Sequence, residues 1–258
     1  MDKKKIGLAL SGGSVLGAAH IGSLRALEEN GIRPDFIAGT SIGAFVGAFY
    51  AFGFSCDEIE KIALEFKWPD IVDLSLSKYA LLSNGKMEKL IKKHLGDRQI
   101  EEAKIPLAIV ATDIAKGKKV VFKKGPVSKA VMASTCIPGI FKPVEIEKKV
   151  LVDGGVLENL PVKTVKKMGA EHIIAIDLNA KHKFKKPGHI LDVIIASFHL
   201  LMKNSTMMQS KLADWNITPD LSRFNYIDSS QIPDLIKKGY EDTRKFLEQV
   251  KNPSPAKT

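Results

Sequence analysis

At 258 residues, 45% hydrophobic and 26% charged, the chain has the composition of an ordinary globular protein with one large core, without internal repeats or low-complexity tracts. Its apolar runs are too short for a membrane span, and Cys56 and Cys136 are too few for a disulfide framework or a metal site. The formal charge of +10 draws the chain towards anionic surfaces, but no groove-reading motif or aromatic–basic interleaving points to nucleic acid.

Met1-Asp2-Lys3-Lys4-Lys5 is followed by an apolar run, residues 6–10, too short for a signal-peptide core and read as a first strand, so the expected place of action is the cytoplasm. Ser11-Gly12-Gly13-Ser14-Val15-Leu16-Gly17 comes directly after, then a helix over residues 18–29 that stops at Asn30-Gly31. A glycine-rich strand-to-helix turn faces an anion. The N–H groups of Gly12, Gly13 and Ser14 are candidates to stabilise the charge that acyl transfer develops on a carbonyl oxygen. A dinucleotide fingerprint fails because Ser14 takes the third glycine position and the second strand ends in Gly39-Thr40-Ser41 rather than an acid; a P-loop lacks its Gly-Lys-Ser/Thr.

Asp35-Phe36-Ile37-Ala38 reads as the second, buried strand, and residues 44–52 as a buried helix. Between them Gly39-Thr40-Ser41-Ile42-Gly43 has the form of a nucleophile elbow, in which Gly39 and Gly43 permit a sharp turn and Ser41 stands at the positive end of a helix. A helical stretch over residues 57–95 follows, broken at Trp68-Pro69 and Ser83-Asn84-Gly85, and is expected to form a cap or lid across residues 56–96. Strands are expected at residues 107–112, 120–123, 150–152 and 173–177, an alternation with helices that implies an α/β fold. Asp153-Gly154-Gly155 places a carboxylate at the end of an apolar strand, on the edge where ligands sit in an open α/β sheet. A serine hydroxyl needs a base, yet His20, His94, His172, His182, His189 and His199 all lie in helices, at strand ends or beside a basic loop, not in turns that present a catalytic imidazole.

The glycine loop at residues 11–17, the Ser41 pentapeptide and Asp153-Gly154-Gly155 resemble, in order, the three signatures of the patatin-like phospholipases. Ala133-Ser134-Thr135-Cys136-Ile137-Pro138-Gly139-Ile140-Phe141, Val110-Ala111-Thr112-Asp113 and Val120-Val121-Phe122 resemble supporting segments of the family's bacterial branch, and the likeness covers residues 5–178. The resemblance implies a three-layer α/β sandwich with a mostly parallel central sheet, and hydrolysis of a phospholipid or lysophospholipid acyl ester through an acyl-serine intermediate. It implies a Ser41–Asp153 dyad without histidine, an oxyanion hole at Gly12, Gly13 and Ser14, and a supporting role for Gly17, Gly39, Gly43, Gly154 and Gly155; it implies no metal or organic cofactor. Two positions depart from the family's pattern: Ser14 replaces a third glycine, and Leu16 replaces a basic residue, which implies a shift towards less charged esters. An ordinary aspartate, with a pKa of about 3.9, is too acidic to take a serine proton, so Val150, Leu151, Val152, Val156 and Leu157 are expected to bury Asp153 and raise it. The alternatives are a non-catalytic lipid-binding or regulatory module and a soluble short-chain esterase or thioesterase.

Towards the C-terminus, residues 181–188 form a basic loop. Residues 190–212 read as a helix with apolar positions at Ile190, Leu191, Ile194, Ile195, Phe198, Leu201 and Met202, followed by Met207-Met208. Such a stripe packs on a core or, beside the basic loop, offers an adaptable apolar surface to an acyl chain or to an anionic membrane at its periphery. The expected organisation is a single domain over residues 1–258, with a core at 5–180, a helical C-terminal region at 189–250 and a disordered tail at 252–258.

Overall fold

The computed structural model describes residues 4–65, 73–74, 82–83, 85–181, 186, 188 and 190–252. Its centre is an eight-stranded sheet. β1 (Ile6–Leu10) feeds a 3-10 turn, Ser14–Gly17, and helix α1 (Ala18–Glu29); β2 (Phe36–Thr40) feeds α2 (Ile42–Ala51). The expected helical stretch is realised as α3 (Cys56–Leu64) and α4 (Gly85–Leu95), with a short antiparallel pair, β3 (Asp73–Leu74) and β4 (Leu82–Ser83), between them. The Ser55–Glu58 capping box sets the start of α3. The break at Trp68-Pro69, and with it much of the expected cap, lies outside the described residues. The described part of that stretch packs inward: Ile59, Ile62, Met87, Ile91 and Leu95 belong to the same core as Phe45 and Phe49 of α2.

The rest of the sheet comes from β5 (Leu107–Asp113), β6 (Lys118–Phe122), β7 (Val144–Ile146), β8 (Lys149–Asp153), β9 (His172–Ile176) and β10 (Trp215–Ile217). Five strands, in the order β10-β9-β1-β2-β5, run parallel, and β6, β8 and β7 add antiparallel pairings beyond β5. β7 and β10, three residues each, carry too little pattern to be seen in the sequence. Alternate residues of the central strands face opposite layers. Leu8, Leu10, Ile37, Ile109, Ile174 and Ile176 join the core beneath α1 to α4 and α8 (Ile232–Lys251), while Ala9, Ala38, Ala108, Ile173 and Ala175 meet Leu160, Val162 and Val165 at α6 (Val162–Lys166). This is the three-layer α/β arrangement expected. Before α6 come α5 (Val127–Ser134) and, from β8, the turn Gly154–Val156; after β9 comes α7 (Ile190–Ser210).

One detail of the sheet positions the site. Val110 of β5 pairs with Thr40 of β2 on one edge and with Val121 of β6 on the other. The next residue, Ala111, pairs with Asp153 of β8 and again with β6, at Val120. Since β6 holds one edge throughout, β2 and β8 occupy the opposite edge end to end, and the tip of β2 meets the tip of β8. Ser41 and Asp153, 112 positions apart in the chain, are thereby brought to the same point.

On the other flank α1 and α8 cross so closely that a β-carbon on Gly22 would run into the Ile236 carbonyl, and one on Gly239 into that of Ala19. Thr243 donates a hydrogen bond to Ser23 across the crossing at 2.9 Å. Overpacking such a contact costs about 1–3 kcal/mol. Gly239→Val is accordingly expected to lower the thermal midpoint by several degrees, and an unchanged melting curve would show that the helices can separate without penalty.

Candidate functional site

Ser41 leaves β2 and caps α2 with φ 55° and ψ −127°, a left-handed conformation that a side chain adopts only when its surroundings enforce it. Ser134, at the end of α5, does part of that enforcing. The Ser41 N–H donates to Ser134 Oγ at 2.7 Å, and that hydroxyl donates to the Val110 carbonyl at 2.6 Å. Close packing does the rest: β-carbons on Gly39 or Gly43 would collide with backbone atoms of the elbow and of β1, and one on Gly17 with the side chain of Ile42.

Asp153 closes β8 and is fully buried. Its Oδ1 accepts the Gly155 N–H at 2.7 Å, and Gly154 lies hard against the Val110 carbonyl. Oδ2 has no hydrogen bond of standard length among the described residues. Burial pushes the carboxyl pKa up to about 7, with the Ser41 hydroxyl and the Gly155 N–H pulling it partly back. The hydroxyl is thus near enough to stabilise the carboxylate but not in the alignment of a formed hydrogen bond, as is common before a substrate is bound.

The glycine loop lies beside Ser41: a β-carbon on Gly12 would sit 3.0 Å from that of Ser41. The expectation that Gly12, Gly13 and Ser14 all offer their N–H groups to an anion needs correcting. Gly12 N–H is shared between the Asn159 carbonyl at 3.3 Å and Asn159 Oδ1 at 3.1 Å. Asn179 Nδ2 donates to the Gly12 carbonyl at 2.7 Å, and the Tyr226 hydroxyl donates to Asn179 Oδ1 at 3.2 Å. The peptide units around Gly12 are held by two asparagines, whereas the amides of Gly13 and Ser14 have no acceptor among the described residues. Ser14 has φ 53°, so the position where the family pattern has glycine is left-handed here, at about 1–2 kcal/mol for a residue with a side chain. Leu16, where that pattern has a base, is completely buried in the main core and anchors the loop from below.

Asn159, Asn179 and Ser134 were not singled out from the sequence, because each acts by hydrogen-bonding backbone that is remote along the chain. The histidines do other work. His20, its pKa lowered to about 4 by burial, donates from Nε2 to the Ser11 carbonyl at 2.8 Å, and His199 stacks on Tyr226 at 3.6 Å. His182 and His189 lie outside the described residues. No group of three or more His, Cys, Asp or Glu among the described residues could hold a metal ion.

Beside Val15 and Ile42 lies a small apolar recess of about 30 Å³, lined by Val15, Ile42, Phe45, Val46, Ile59 and Ala63 among others.

The family model described as patatin-like phospholipase matches residues 8–166. An uncharacterised NTE family protein of Mycobacterium bovis is 38% identical over 178 residues, 68% of this chain and 49% of that one. Lysophospholipase NTE1 of Candida albicans is 32% identical over 186 residues, 70% of this chain and 13% of that one. Patatin-like phospholipase domain-containing protein 6 of the mouse is 35% identical over 184 residues, 68% of this chain and 14% of that one. The chain thus spans about half the length of the mycobacterial relative and far less of the other two. Among solved structures, VipD of Legionella pneumophila superposes with a TM-score of 0.64 at 14% identity, over 96% of this chain and 67% of that one, a likeness of fold.

The buried carboxylate has a measurable cost. Between pH about 4 and about 7 the unfolded chain ionises Asp153 while the folded chain keeps it protonated, so raising the pH through that window favours unfolding; above it the full penalty remains. Asp153→Asn keeps an acceptor for Gly155 and removes the charge. It is expected to stabilise the fold by on the order of 4 kcal/mol at pH 8 and by progressively less towards pH 4. Denaturant melts across that range would reject this assignment if the variant's gain did not depend on pH.

Proposed function

The chain belongs to the patatin-like phospholipase family, and from that premise we propose that it hydrolyses lipid carboxylic esters, taking the acyl ester of a phospholipid or lysophospholipid through an acyl-Ser41 intermediate. The observation that carries the reading is the buried Asp153 carboxyl, raised to about 7 and facing Ser41 with one oxygen unengaged. A base is most effective when its pKa lies near the working pH, and burial has moved this carboxyl there.

In the proposed reaction Ser41 Oγ attacks the ester carbonyl carbon as its proton passes to Asp153. The amides of Gly13 and Ser14, with the N-terminus of α2, stabilise the tetrahedral oxyanion. The alcohol departs with the proton from Asp153, leaving acyl-Ser41. Water then attacks the acyl carbon, giving its proton to Asp153, and Ser41 Oγ leaves and is reprotonated as the carboxylic acid is released. The strained backbone of Ser41 holds the nucleophile at the mouth before substrate arrives, so little reorganisation is needed during the reaction. No helix among the described residues is long and apolar enough to cross a membrane. The proposed place of action is the cytoplasmic face, a compartment compatible with the buried thiols of Cys56 and Cys136.

Labelling with a fluorophosphonate tests the dyad. Ser41 is expected to be modified in the wild type, with Ser41→Ala and Asp153→Asn both losing the label, and turnover is expected to rise to a plateau above pH about 7 as Asp153 ionises. A folded wild type that does not label would transfer the reading to a non-catalytic lipid-binding module.

A further inference from the structure

Helix α7 carries apolar residues on two faces, and only one of them is used by the fold. Ile194, Ile195, Phe198 and Met202 face inward, packing with Cys136, Ile137, Ile140 and Phe141. Met202 Sδ lies directly over Gly155, and so over the turn that holds Asp153. The stripe expected from the sequence to act as one surface is therefore split. Ile190, Leu201 and Met208 are 70%, 66% and 75% exposed, and Val193, Leu200 and Met207 are exposed beside them. At about 100° per residue these six fall on one side of the helix, with only Ser197 and Asn204 between them. Leu212 continues the patch past the end of α7, and Leu157 extends it towards the site, its carbonyl accepting a hydrogen bond from Ser205 of α7.

Scattered single apolar side chains on a surface are ordinary, but a contiguous group marks a contact. The charge around it indicates which contact. From residue 181 to residue 212 the sequence holds Lys181, Lys183, Lys185, Lys186, Lys203 and Lys211 against the single acid Asp192. An apolar helix face carried by a lysine-rich stretch of sequence is complementary to a bilayer whose headgroups are negative and whose interior is hydrocarbon. A protein partner with an apolar groove would satisfy the leucines and methionines but leave the lysine excess unexplained.

We infer that the outer face of α7 docks on the surface of an anionic phospholipid bilayer, Ile190, Val193, Leu200, Leu201, Met207 and Met208 entering the headgroup–acyl boundary. With the inner face of the same helix packed on the Asp153 turn, docking sets the mouth of the Ser41 site against the leaflet. The methionines suit this contact, because their flexible side chains follow an irregular acyl surface. The inference names the surface from which the proposed hydrolase takes its substrate and rests on that proposal for its purpose. Docking itself is measurable without turnover.

The experiment is co-sedimentation of the full chain bearing Ser41→Ala with vesicles of pure phosphatidylcholine and with vesicles containing an equal share of phosphatidylglycerol. Binding is expected to the anionic vesicles only and to weaken as salt is raised. The combined variant Leu200→Ser, Leu201→Ser and Met208→Ser is expected to lose roughly tenfold or more in partition to those vesicles, with an unchanged melting curve. Leu64→Ser, which removes an exposed leucine on α3, is expected to bind as before. In an otherwise wild-type background the combined variant is expected to keep its rate on a dissolved acetyl ester, so a failed docking test is distinguishable from an inactive site. Undiminished sedimentation of the combined variant would overturn the inference. So would equal binding to both kinds of vesicle, or a concentration-dependent dimer in the absence of lipid that the same substitutions dissolve.

Discussion

The site depends on one edge of one strand. β5 gives a single line of backbone groups to two partners in succession, the parallel β2 as far as Val110 and the antiparallel β8 from Ala111 onward. Hydrogen bonding along a strand admits little slip, because a shift of one residue would turn every side chain of β8 to the opposite face. The join between Thr40 and Asp153 is therefore fixed by pairing that no single loop controls. Ser134 reinforces the same place, linking the Ser41 N–H to the Val110 carbonyl where the two strands meet. The candidate site is thus mounted on the sheet, in keeping with the position of ligands at the carboxyl ends of strands in open α/β sheets.

That placement determines the electrostatics. A carboxylate at the junction of buried strands loses its water, and one backbone donor, Gly155, does not replace it. In a stability sense Asp153 is a defect, and the same burial gives it the pKa that its proposed role as a base requires. The glycine loop follows a similar logic. Two asparagines and a tyrosine satisfy the polar groups around Gly12 while the next two amides stay unpaired, and Leu16 is sunk in the core beneath them. The loop is held still by its neighbours, so the free N–H groups owe their direction to the scaffold and not to a ligand.

Helix α7 joins the interior of the site to its exterior. Its inner apolar residues close over Gly155, and its outer ones are left to solvent. A helix apolar on both sides needs two different neighbours, and the fold provides one.

Much of this was legible in the order of residues. The first strand and helix were read to the residue at Ile6–Leu10 and Ala18–Glu29, since local periodicity and the Asn30-Gly31 stop act over a few positions. Ser41 and Asp153 were marked as candidates because glycines at a strand end have few other uses, and the α/β alternation implied the class of fold. Three-residue strands such as β7 and β10 exist only because a neighbour pairs with them, so they left no trace in the sequence. The same holds for Asn159 and Asn179, whose partners lie 147 and 167 positions away, and for the bond from the Ser41 N–H to Ser134, 93 positions on, although the segment around Ser134 was marked by its family likeness. The sequence determined which segments become strands, helices and tight turns, because those choices rest on contacts within a few residues. Only the tertiary structure decided that Gly12 is occupied, that Asp153 is raised to about 7 and that α7 has a second face without a neighbour. Those properties depend on burial and on distant partners, which exist only once the chain has folded.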